Sequence, residues 1–207
     1  MKKILAALAT VVLVAMPSHG EIDTLSVPEL GVSVFSRHAW RGQSGPDAMS
    51  IQPEAIVPLG TAGTALSLWG QIPTEGSDTE IDFTVTQDVK GVGKLFATSY
   101  YYDGSVLDAE NHDLEIGVST AYNDISLLVG RFIYGEAVKG DTWVQLGYEL
   151  GGISLFAGVG DGSYISDGDG FGLAQLGASI YTENGYGATF LVNPDTERPM
   201  FIVGKSW

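Results

Sequence analysis

The sequence predicts an all-β fold, an up-and-down antiparallel transmembrane β-barrel of about 12 strands, and three observations predict it. Short segments alternate apolar and polar residues with a period of two. The connections between them alternate between tight Gly- or Asn-containing turns and longer acidic loops. No stretch approaches the ~20 consecutive apolar residues of a spanning helix, so any membrane crossing is made by strands.

At the N-terminus, Met1, Lys2 and Lys3 precede an apolar run over residues 4–16, too short to cross a bilayer comfortably. Pro17 breaks the run, and Ser18 and Gly20 put small residues where a signal peptidase reads. Residues 1–20 are therefore predicted to be an export signal, cleaved between Gly20 and Glu21, and residues 21–207 a single barrel domain in the bacterial outer membrane.

The strands follow in order. Candidates are residues 30–41, 48–59, 63–72, 81–86, 93–102, 113–119, 125–134, 143–150, 153–159, 171–182, 186–193 and 199–207. The two-faced pattern is clearest where Ile81, Phe83 and Val85 alternate with Asp82, Thr84 and Thr86. It returns in Leu114, Ile116 and Val118 against Asp113, Glu115, Gly117 and Ser119, and in Val144, Leu146, Tyr148 and Leu150 against Trp143, Gln145, Gly147 and Glu149.

The tight set of connections is Gly60-Thr61-Ala62-Gly63, Lys90-Gly91-Val92-Gly93, Asn123-Asp124, Gly151-Gly152 and Asn184-Gly185, rich in residues that accept a positive φ. The long set spans residues 42–47, 73–79, 103–112, 135–141, 160–170 and 193–199. Strict sorting into short and long is what a barrel with two unlike rims requires, and a soluble β-sandwich has no reason to produce it.

Charge and composition exclude several classes. Without Lys2 and Lys3 the chain holds 8 basic and 25 acidic residues, a net charge of −17 that argues against nucleic acid as a partner. Cysteine is absent, which removes disulfide scaffolds and thiolate metal sites. No phosphate-cradling Gly loop, nucleophile elbow or zinc spacing occurs, so no cofactor and no enzymatic activity are expected.

Trp40, Tyr101, Tyr102, Tyr134 and Trp143 fall near the long-loop ends of their strands, where interfacial girdles form. The chain closes on Phe201, Val203 and Trp207, alternating with Ile202, Gly204 and Ser206. This is similar to the terminal signal read by barrel-assembly machinery. Lys205 departs from the apolar residue usual there, although a lysine at an interface can snorkel.

Alternation assigns Arg37 and Arg41 to the lumen, with Val32, Val34 and Trp40 on the opposite face. Gln52, Glu54, Asp82, Glu115, Gln145 and Glu149 are read as inward too, so both signs of charge line the cavity. Arginine facing carboxylates can form an eyelet that filters solutes by charge and size. The competing expectation is a plug such as Arg37 with Glu54, in a closed structural or adhesive barrel. Inward Gly117, Gly147 and Gly158 would leave space and favour an open lumen.

The run Val34-Phe35-Ser36-Arg37-His38-Ala39-Trp40-Arg41-Gly42-Gln43-Ser44, followed by Ser50-Ile51-Gln52-Pro53, resembles the opening of the TorF-type porin family. The resemblance covers about the first quarter of the mature chain, and His38 stands where an aromatic residue is more typical. It implies a porin. Together these features lead to the expectation of passive diffusion of small hydrophilic solutes, in contact with outer-membrane lipids and lipopolysaccharide.

Two further motifs resemble chemical sites. Asn111-His112-Asp113 offers a base and an orienter, but no serine is placed beside it by spacing, and a solvated loop histidine is expected. The stretch from Asp161 to Gly170 alternates Asp and Gly like a calcium loop, but Phe171 and the missing closing Glu break that pattern, so no metal site is expected.

Overall fold

A computed structural model describes residues 28–44, 48–60, 62–75, 79–102, 108–166, 168 and 170–207. The predicted export signal and its cleavage point lie outside the described residues. Among the described residues fourteen strands follow one another: β1 (Glu29–Phe35), β2 (Ala39–Trp40), β3 (Gln43–Ser44), β4 (Ser50–Leu59), β5 (Thr64–Pro73), β6 (Glu80–Val89) and β7 (Gly93–Tyr101). The second half is β8 (His112–Tyr122), β9 (Ile125–Tyr134), β10 (Thr142–Leu150), β11 (Ile153–Gly160), β12 (Gly172–Tyr181), β13 (Tyr186–Asn193) and β14 (Arg198–Ser206).

Twelve of these, β1 and β4 to β14, pair antiparallel with their neighbours, and β1 also pairs with β14, so the sheet closes into a barrel. Closure leaves no free edge to recruit other chains. Tight turns gather at one rim and long connections at the other. The Gly151-Gly152 turn has φ of 57° and 85°, the doubly left-handed backbone that two-residue hairpins need.

Cross-strand register fixes the faces. Leu30, Ala55, Leu68 and Phe83 form one outward row across β1, β4, β5 and β6. Gly31, Glu54, Trp69, Asp82 and Tyr100 form the inward row beside it, which continues onto β7. Large apolar side chains such as Leu68, Leu146, Leu155, Phe190 and Phe201 stand exposed on the outward face.

Two buried clusters occupy the interior toward the long-loop rim. Tyr100, Phe132, Trp143, Tyr164, Ile165 and Ala174 form the larger, with Trp40 packed on it. Leu191, Met200 and Ile202 form the smaller, against Phe35, Ala39 and Phe156. Burying each large side chain contributes roughly 1.5–3 kcal/mol, so these clusters stabilise the interior at that rim.

The structure departs from three expectations. The strand read as residues 30–41 stops at Phe35, and the chain then turns into the barrel and returns as the short hairpin β2–β3. Trp40 consequently lies in the lumen among Tyr100, Phe132 and Tyr164, not on the outer face with Val32. The inward glycines do not open the lumen. A Cβ at Gly158 would lie 2.1 Å from Trp143, one at Gly117 2.3 Å from Phe96, and one at Gly147 2.3 Å from the Ser126 hydroxyl. Each glycine makes room for a neighbouring side chain that fills its space.

Candidate functional site

The site is built on residues 36–44, which enter the barrel from the long-loop rim. Ala39 pairs with Ser44 and Trp40 with Gln43, leaving Arg41-Gly42 as a two-residue turn. Both turn residues have positive φ, 50° at Arg41 and 79° at Gly42. This twist suits a tight hairpin, but it is costly for an arginine, by about 1–2 kcal/mol. At Gly42 a Cβ would come within 2.0 Å of the Ala174 carbonyl oxygen, so only glycine lets the tip lie against β12.

Arg41 ends in a buried ion pair with Glu115 on β8. Its Nη1 lies 2.7 Å from Oε1 and its Nη2 donates to Oε2 at 2.9 Å. The two side chains are 9% and 0% exposed. The Tyr100 hydroxyl donates to the same Oε2 at 2.6 Å, and Arg41 Nη1 donates to the Tyr164 hydroxyl at 2.6 Å. The guanidinium carbon sits 4.5 Å from the Trp40 ring centre and 5.7 Å from that of Trp143. A Cβ at Gly130 would fall 2.0 Å from Glu115 Oε1, so the absence of a side chain there creates the slot.

Burial disfavours the charge of Arg41, but the hydrogen bond and field of Glu115 outweigh it and raise its pKa above the usual arginine value. Burial also raises the Tyr164 phenol, against the opposing pull of Arg41, so it stays neutral and accepts from the guanidinium. The hairpin is tied on its other side as well: Asn193 Nδ2 donates to the Gly42 carbonyl at 3.2 Å and Gln43 Nε2 to that of Ser163 at 2.7 Å.

His38 enters the lumen just before β2. Its Nδ1 lies 3.3 Å from Gln52 Nε2, its ring stacks at 5.6 Å from Trp69, and its Nε2 lies 4.0 Å from Glu80 Oε2. Desolvation lowers its pKa to about 4, so it is neutral at pH 7. Beyond the hairpin, toward the turn rim, the lumen widens into a vestibule of about 840 Å³, lined by Asp88, Lys94, Ser119, Ser126, Leu128 and Gln145 among others.

The predicted lumen residues thus separate. Arg41 and Glu115 meet. Asp82 faces inward on the row of Tyr100, and its Oδ1 is buried without a hydrogen-bond partner. Glu54 lies in the same row but is exposed to solvent, and Glu149 sits at the turn rim, where its Oε1 accepts from Ser154 Oγ at 2.6 Å. Arg37 is half-buried in the inward connection. The inward ion pair that forms is Arg41 with Glu115, and spacing alone could not choose this pairing between residues 74 positions apart.

Phe201 and Val203 face outward and exposed, and Trp207 is exposed beyond β14. Lys205 shares their face, its Nζ 4.6 Å and 4.7 Å from the ring centres of Tyr186 and Trp207. His112 departs from the solvated loop residue expected. It is the first residue of β8, buried, with Nδ1 2.9 Å from Ser99 Oγ. Ser99 is only 1% exposed, so this cross-strand bond lies beneath neighbouring atoms. Asp161 is turned to the backbone, its Oδ1 accepting from the Thr142 N–H, and no metal-holding group of three or more carboxylate or imidazole residues occurs among the described residues.

Alongside this geometry, no protein-family model, curated protein or solved structure matches the chain.

Proposed function

We propose that this chain is a porin-like outer-membrane channel for small hydrophilic solutes, constricted by its own first long connection. The observation that carries the reading is the hairpin β2–β3 inside a twelve-stranded barrel. Eight strands enclose a space that side chains can fill, while sixteen leave a wide aqueous channel. At twelve strands an inserted connection sets the aperture, and an arginine–carboxylate pair at its tip occupies the place of a selectivity filter.

The exposed apolar exterior supports insertion in a bilayer, with the long loops outside and the turns in the periplasm. The resemblance of residues 34–44 and 50–53 to TorF-type porins points the same way. Barrel-assembly machinery, outer-membrane lipids and lipopolysaccharide are then the expected partners.

A second reading, a closed barrel acting through its acidic outer loops, is favoured by the dryness of the Arg41–Glu115 pair. Liposome swelling separates the two. Vesicles carrying the folded chain should swell slowly in small sugars, and Arg41→Ala should quicken the swelling several-fold. If neither protein admits even the smallest sugar, the closed barrel stands.

A further inference from the structure

Strand alternation sorts the charges of this barrel. Among the described residues, all eight carboxylates borne by the barrel strands face inward, whereas the outward charged side chains are two bases, Arg131 and Lys205. Lys94 and Arg198 are the strand bases that face inward. Even with Arg37 and Arg41 of the inserted connection, the interior holds twice as many acids as bases. The long connections at the mouth add a further excess of Asp and Glu.

Part of this charge is matched in place. Arg41 lies 2.7 Å from Glu115, so the pair at the hairpin tip carries no net charge. Lys94 stands opposite Asp88 in the ladder between β6 and β7. Glu54 and Glu29 have no such counterpart: both are exposed, and neither makes an ion pair or hydrogen bond among the described residues. Glu54 pairs with Gly31 and Glu29 with Ile56, which makes the two carboxylates diagonal neighbours on the inner wall. Such neighbours lie roughly 7–8 Å apart between backbones, close enough for their fields to add. On β12, β13 and β14 the inward Gln175, Ser179, Leu191 and Ile202 are uncharged and buried, so the solvated stretch beside β1 and β4 is lined by acid.

We propose that the lumen passes small cations in preference to anions, and that Glu54, with Glu29 beside it, sets that preference. The inference rests on the channel reading and deepens it by naming the charge class of the solute. Unmatched carboxylates in a narrow aqueous path with low-dielectric walls draw cations in and turn anions away, because the walls focus the field along the path. The arginine that could oppose this at the constriction is held by Glu115, so the selectivity falls to the wall.

Planar bilayers holding the full chain between unequal KCl solutions test it, because the zero-current potential gives the permeability ratio. Wild type should pass K+ over Cl− by roughly tenfold, and Glu54→Gln should reduce that to roughly threefold. Glu54→Lys should bring the ratio to unity or below, and Glu29→Gln, at the end of its strand, should lower it less than Glu54→Gln does. Glu183→Gln removes the same charge from the exposed turn between β12 and β13 and should leave the ratio unchanged. A wild-type ratio of one or below, or equal ratios in wild type and Glu54→Lys, would overturn the inference. Equal falls for Glu54→Gln and Glu183→Gln would overturn the assignment to the lumen wall. Heat-modifiable migration checks that each variant is folded. A folded chain that passes no current sinks the channel reading and this inference together, whereas a current without cation preference sinks this inference alone.

Discussion

Arg41 is held by a carboxylate, a phenol and two indole faces while its own backbone adopts a left-handed φ of 50°. Such an arrangement persists only when the surroundings over-determine it. Removing one partner of a covered ion pair strands the other, at about 3–5 kcal/mol. Glu115→Ala should therefore lower unfolding stability in detergent by that order, read from the urea midpoint, with Glu115→Gln losing less because an amide oxygen still accepts from Tyr100. Gly130→Ala should also destabilise, since its methyl would displace Glu115 Oε1.

His38 adds a pH dependence of definite sign. Its folded pKa of about 4 lies below the ordinary 6.5, so the unfolded chain binds the extra proton first. The stabilisation is complete above pH 6.5, is lost as pH falls toward 4, and amounts to about 3 kcal/mol. Urea midpoints between pH 7 and 4 should fall for wild type by more than for His38→Gln. At this scale the sequence was partly legible: alternation places Arg41 and Glu115 inside, but their meeting depends on a turn that alternation conceals.

That turn is where element-level reading succeeds and fails. Eleven barrel strands are read to within a few residues, because one face meets an apolar exterior and the other a polar interior. The first is overextended because Ala39, Trp40 and Arg41 continue the alternation of β1, although Arg41-Gly42 reverses the chain. Trp40 carries no local sign that it packs inward. The inward glycines mislead for a related reason, since a strand pattern reveals a missing side chain but not the ring from the next strand that fills its place. Gly158→Ala should cost about 1–3 kcal/mol by driving a methyl into Trp143. Combined with Trp143→Ala, the same substitution should cost little further, a coupling that a double-mutant cycle on unfolding midpoints would measure.

Across the whole molecule, twelve strands enclose more lumen than their own side chains close, and the long connection between β1 and β4 supplies the difference at one rim while the other opens into the vestibule. The barrel and its sorted rims were legible because both follow from period-two patterning and turn chemistry. The packing of its interior was not, because it arises from contacts between segments far apart in sequence. If the hairpin is the constriction, deleting residues 39–44 should widen the path without touching the barrel wall. Single-channel recording in planar bilayers, on heat-modifiable protein of both forms, is the most direct measurement. The account predicts small conductance for the full chain and a several-fold larger conductance for the shortened one; equal conductance, or none from either, would contradict it.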